Sequence, residues 1–199
     1  MFDQVPVLPV VVPAAAAALA VLLTVLLRRG RLTAPRAAVA VALCVYGAGI
    51  VANTVFPIFL DKPAADVPWH AHLALAPLVG YEAADALKNV AVFVPLGVLT
   101  ALLGARASGR RAVLVAVSVS LGIEVSQLVA AHLLGGGHLA DVNDLLFNVL
   151  GGALGYGLLR AGTRVPRVAA VVDRFRWTGP APDGARAAGP AVVGAAYRG

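Results

Sequence analysis

Charge is what this sequence has least of. Only 13% of its 199 residues are Asp, Glu, Lys or Arg, while 60% are hydrophobic. A soluble domain carries about 25% charged residues. A mean hydropathy of +0.85 therefore excludes an ordinary water-soluble fold and points to a chain solvated by lipid. Aromatics make up 6%. Without a basic helix or a stacking motif, the net charge of +6 is not a nucleic-acid footprint, and no nucleic-acid partner is expected. The single cysteine, Cys44, excludes an internal disulfide and reads as a small packing residue inside an apolar run. No CxxC, Gly-rich phosphate loop or Ser-His-Asp arrangement appears, and no cofactor is expected. Lysine is nearly missing too. Of 16 basic residues only Lys62 and Lys88 are lysine, leaving 14 arginines.

Long apolar runs, by contrast, are abundant. A hydrocarbon core about 30 Å thick needs roughly 20 apolar residues per crossing helix. Runs at 5–27, 37–60, 86–103, 112–134 and 142–159 qualify or come close. The expectation is an all-α, polytopic transmembrane helix bundle with about five spans. Residues 1–60 supply two N-terminal spans. Residues 61–85, with Pro63, Pro68, Pro77, Trp69 and Tyr81, read as an outer loop whose amphipathic rings sit at headgroup level. Residues 86–160 form a core of three spans. Residues 161–199, rich in Arg, Gly, Ala and Pro, read as a short amphipathic segment followed by a largely disordered tail. The start, MFDQ, has no basic residue, unlike a secretory leader, so the first run reads as a retained anchor.

Topology follows from the arginines. Arg28, Arg29, Arg31, Arg36, Arg106, Arg110, Arg111 and the seven from Arg160 onward all fall on one side of an alternating five-span chain. The other side holds only Lys62 and Lys88, among Asp61, Asp66, Glu82 and Asp85. Positive residues favour the cytoplasm, which predicts an outside N-terminus and a cytoplasmic C-terminus in the bacterial cytoplasmic membrane.

Polar residues inside the runs are the functional signal. A carboxylate at mid-bilayer costs about 2.5–3.5 kcal/mol even on insertion scales, so such residues face the bundle interior. Glu124 lies mid-run, with Ser120 and Gln127 on its helical face. Asp141, Asp144 and Asn148 form a second stripe that continues into Gly151, Gly152 and Gly155, small residues suited to close helix packing. The third run adds Lys88, Asn89, Phe93, Pro95 and Gly97. These three neighbouring runs predict an outer-half ligand pocket lined by Asn89, Phe93, Pro95, Glu124, Gln127, Asp141, Asp144 and Asn148. Gly97, Gly151, Gly152 and Gly155 are expected to pack helices. Glu124 and Asp144 are the candidates for any catalysis. Structural alternatives remain open: Asn and Ser side chains as interhelical hydrogen bonds, and Asp141 or Asp144 as helix caps. His138, Asp141 and Asp144 have metal-ligand types, but their spacing matches no recognised zinc pattern, so no metal is expected.

The same residues resemble a known family. Asn89, Phe93, Pro95 and Gly97 fit the N-x-x-x-F-x-P-L-G motif of VanZ-like membrane proteins. Glu124 and Gln127 fit that family's E-x-x-Q. Asp141, Asp144, Asn148, Gly151, Gly152, Gly155 and Tyr156 fit its D-x-x-D-x-x-x-N-x-x-G-G-x-x-G-Y element. The stretch from His72 to Leu78 departs from the family's N-L-x-P-F. The resemblance implies a cell-envelope protein connected with resistance to teicoplanin, a lipid-tailed glycopeptide, more than to vancomycin. It does not by itself supply a reaction. Expected partners are membrane lipids and a lipid-linked cell-wall precursor or lipoglycopeptide, with oligomers open. A non-enzymatic binding role is the first expectation. A membrane enzyme using Glu124 as acid or base on a lipid-linked substrate is the alternative.

Overall fold

The computed structural model describes residues 3–60, 62, 68–104, 108–133 and 139–178. Among the described residues, five helices are long and apolar enough to cross a membrane: α1 (Val7–Arg28), α2 (Ala34–Thr54), α3 (Ala83–Leu103), α4 (Gly109–Leu133) and α5 (Val142–Gly162). A sixth, α6 (Pro166–Phe175), is short. Large apolar side chains such as Leu8, Val21, Leu121 and Leu158 are exposed around the bundle, which suits lipid and not water. The chain is thus a multi-pass membrane protein in build.

Local chemistry sets the helix ends. Thr33 caps α2 by accepting a hydrogen bond from the Arg36 amide, with Pro35 in the first turn where no N–H is needed. Asp141 caps α5 by accepting from the Asn143 amide. The second predicted span is shorter than expected, ending at Thr54 and not at residue 60. Pro57 removes a helical donor, and the residue before a proline is pushed out of the α region. The chain beyond runs extended beside its own start. The Val5 amide donates to the Ile58 carbonyl at 3.0 Å and the Leu60 amide to that of Asp3 at 2.9 Å.

The centre of the bundle is the α3–α5 pair, joined along a seam of glycines. A Cβ added to Gly155 would strike the Val94 carbonyl, one on Gly151 the Val90 carbonyl, and one on Gly97 the Gly152 carbonyl. Gly152 turns the other way, toward Ala116 of α4. Phe93, Leu96, Ala116 and Ile123 form the adjoining core, against which Tyr46 and Ile50 of α2 pack.

The bundle has two unlike ends. At the acidic end, β1 (Leu73–Ala74) and β2 (Ala140–Asp141) form a parallel two-residue ladder, a small addition to the expected all-α architecture. It ties the approach to α3 to the approach to α5. A 3-10 turn, Trp69–His72, precedes β1.

At the arginine end the amphipathic segment expected after residue 161 forms α6 and folds back. Val172, Phe175 and Trp177 pack on Val39, Leu99 and Leu102. Arg36, 4% exposed, donates through Nε to the Arg176 carbonyl at 2.9 Å. Arg31 donates to the Trp177 carbonyl at 3.0 Å. Trp177 donates its amide to the Leu102 carbonyl and its indole N–H to that of Arg36. The remainder of the expected tail, 179–199, lies outside the described residues. Trp177→Ala is expected to loosen this strap by about 2 kcal/mol, from one hydrogen bond and a partly buried ring. Tryptic cleavage at Arg164 or Arg167 of the detergent-solubilised protein should then accelerate about thirtyfold. An unchanged rate would mean that α6 is held by something else.

Candidate functional site

Helical spacing places Glu124 and Gln127 on one face of α4, and Asp144 and Asn148 on one face of α5. The structure brings these faces together around a cavity of about 530 Å3. Asn89, Val92, Phe93 and Pro95 of α3 form its second side, and Val45, Tyr46, Gly49, Ile50, Asn53 and Thr54 of α2 its third. Glu124 lies nine residues from the end of α4, roughly 13 Å along the axis at 1.5 Å per residue. That is close to half of a 30 Å hydrocarbon core. The floor is polar: Glu124, Gln127 and Asn148 are 8%, 9% and 3% exposed. The mouth is mostly apolar and opens sideways between α2 and α3, where Val45, Gly49, Val92 and Pro95 are exposed.

Several of the polar groups are held in place by specific partners. Glu124 Oε2 accepts from the Asp141 amide at 2.8 Å. Asn148 Nδ2 donates to Ser120 Oγ at 3.0 Å. Asp144 Oδ1 accepts from the Tyr81 hydroxyl and from Asn89 Nδ2, both at 2.6 Å. Tyr81 stacks on Phe147 with ring centroids 5.4 Å apart, which fixes the hydroxyl. Burial, and then the Asp144 carboxylate, push the Tyr81 phenol up from its ordinary value, so it stays a donor at physiological pH. Glu124 Oε1, Gln127 Oε1, Asn148 Oδ1 and the Tyr46 hydroxyl are buried with no hydrogen-bond partner among the described residues.

Asn89, Phe93, Pro95, Glu124, Gln127, Asp144 and Asn148 therefore share the cavity, whereas Asp141 does not line it. Its carboxylate turns back as a helix cap, accepting from the Asn143 amide and Nδ2, each at 2.8 Å. It faces a second, smaller cavity of about 390 Å3 at the acidic end, with Tyr81, Glu82, Asp85, Lys88, Asn89 and Asp144. The Tyr81–Asn89–Asp144 triangle is the wall between the two. Lys88 pairs with Asp85 at 2.8 Å on the exposed side, away from the large cavity. Of the metal-ligand types, His138 lies outside the described residues. Asp141 and Asp144 are engaged by different donors, and among the described residues no three His, Cys, Asp or Glu side chains gather to hold an ion.

Sequence reasoning missed the α2 side of the cavity, although Tyr46 and Asn53 lie seven apart, the spacing that singled out Asp141 and Asn148. It read Tyr81 as a headgroup ring. Asn143, 1% exposed, was hidden between the two aspartates; its Oδ1 accepts from the Leu78 amide at 2.7 Å and locks the approach to α3 onto α5.

Residues 45–163 match the VanZ/LLP1 family, which is more than half of the chain. No curated protein and no solved structure matches. The matched stretch begins at Val45, the first residue of the cavity wall, and runs through the whole of α3, α4 and α5. With the entire cavity inside that stretch, the chain belongs to the VanZ/LLP1 family.

Proposed function

We propose that the chain binds an amphiphile in this cavity: a membrane lipid, a lipid-linked cell-wall precursor or a lipoglycopeptide. The observation that carries the reading is the pairing of a polar floor near mid-span with an apolar mouth open sideways between α2 and α3. A polar head would sit on Glu124, Gln127 and Asn148 while its chain leaves past Val45 and Val92. The arginine distribution supports an orientation with the acidic end outside the cytoplasmic membrane. The cavity then lies in the outer half of the bilayer, where envelope precursors and lipid-tailed glycopeptides are found. A link to teicoplanin-type resistance follows from this reading, because only a ligand with a lipid tail uses the sideways mouth.

The test is a gene deletion complemented with wild type or Glu124→Gln at equal membrane levels, scored for teicoplanin and vancomycin susceptibility. Deletion should sensitise cells to teicoplanin only, and Glu124→Gln should fail to restore. Equal response to both drugs in all strains would sink the resistance role.

One feature favours a second reading, an enzyme acting on a lipid-linked substrate. Glu124 lines the cavity and is anchored through one carboxylate oxygen, while the other has no hydrogen-bond partner among the described residues and is left for acid or base work. In that case Glu124→Gln keeps a co-purifying lipid yet abolishes its conversion. In a binding protein the same change weakens retention itself.

A further inference from the structure

The floor of the cavity holds three hydrogen-bond acceptors without donors among the described residues, and the Tyr46 hydroxyl stands unpartnered on its α2 side. Glu124 Oε1, Gln127 Oε1 and Asn148 Oδ1 are all buried and have no partner among the described residues, on side chains of residues more than nine-tenths buried. Buried polar groups are normally satisfied, and leaving an acceptor unpaired costs more than an ordinary hydrogen bond gains. Two of the three side chains are already held through their other polar atom. Glu124 is pinned through Oε2 to the Asp141 amide and Asn148 through Nδ2 to Ser120. A proton on Glu124 would serve one of these oxygens and leave the other two.

The electrostatics point the same way. Among the described residues no Lys, Arg or His lines the cavity, and a second carboxylate, Asp144, stands in its wall. A phosphate or carboxylate head placed on this floor would meet acceptors and negative charge. A protonated amine would meet the reverse: it offers three N–H donors and a positive charge to three acceptor oxygens, one of them a carboxylate.

We propose that the ligand of this cavity carries a protonated amine as its head, seated on Glu124, Gln127 and Asn148, with an apolar chain leaving between α2 and α3. This rests on the reading that an amphiphile occupies the cavity, and it selects the head that the amphiphile must bear.

The experiment is native mass spectrometry of the full chain released from phosphatidylcholine nanodiscs doped equally with dodecylamine, dodecanol and dodecyl phosphate. The three probes share a chain and differ only in the head. Dodecylamine should be retained at least about tenfold over the other two, the difference made by one charged hydrogen bond. Glu124→Gln should bring that preference to within about threefold. Should Glu124→Gln fail to insert, Gln127→Met, of similar volume and without the acceptor, is expected to lower amine retention alone. Retention of dodecyl phosphate or dodecanol as well as the amine overturns the amine assignment and leaves the amphiphile cavity standing. Retention of none of the three overturns both.

Discussion

Gly155→Leu is expected to unfold the bundle. A Cβ at this position meets the Val94 carbonyl oxygen and, at 2.8 Å, its carbon, which is backbone and cannot swing aside. Helices α3 and α5 would have to separate, carrying Asn89 and Phe93 away from Asp144 and Asn148. Overpacking of this kind costs typically about 1–3 kcal/mol and more where backbone is the obstacle. A loss of at least about 3 kcal/mol is expected here. Gly157 is the control on the same helix, since among the described residues nothing lies within 4 Å of a Cβ there. Gly157→Leu should change stability by less than about 0.5 kcal/mol. The single cysteine, half-buried on α2, allows both variants to be followed with a thiol-reactive dye during heating. Equal melting of the two variants would show that the glycine seam does not set the α3–α5 distance.

The second large effect is expected at Asp144. Asp144→Ala withdraws the acceptor used by Tyr81 and Asn89 together. Each stranded donor costs about 1–3 kcal/mol, and the remaining 2.7 Å contact between Tyr81 and Asn89 offsets part of this. A net loss of about 2–4 kcal/mol is expected, with the two cavities merging and lipid retention falling. Asp144→Asn keeps a carbonyl oxygen in place and should cost less than about 1 kcal/mol. If both variants lose lipid equally, the charge and not the wall is what matters. The pH dependence of this network has a definite sign. The Tyr81 phenol is raised in the folded chain, so its contribution is complete below the ordinary value of about 10. It is lost only as pH climbs through the higher folded-state value. Thermal stability attributable to Tyr81, taken against Tyr81→Phe, should therefore be flat across the physiological range.

The spans were legible because lipid imposes a length and a composition that few other environments do. The helices follow the predicted runs, with the clearest shift where Pro57 ends α2 early. The buried polar residues were legible for a related reason: a Glu124 or Asn148 in an apolar run has to face inward. What pattern could not supply was the direction of each side chain at a helix start. Asp141 and Asp144 are equivalent by spacing, yet one caps α5 and the other closes the cavity wall. The cap residue just before a helix turns its side chain back on the helix amides, whereas the third residue of α5 projects across to α3. Nor could pattern reveal the part played by α2. Tyr46 and Asn53 are weak signals singly, and become cavity residues only because α2 leans on the α3–α4 core. Tyr81 and Asn143 act through partners 63 and 65 residues away in sequence, a separation over which periodicity carries no information.

The strap at the arginine end also fixes an order of assembly. The indole of Trp177 reaches the Arg36 carbonyl across 141 residues of sequence. Arg31 and Arg36 donate to the carbonyls of residues 177 and 176. Those carbonyls leave the ribosome only after all five spans have been made. The seat formed by the α1–α2 link and the end of α3 thus stays open throughout synthesis and is sealed by the last described segment. A chain halted after α5 would hold every residue of the cavity and still lack its latch.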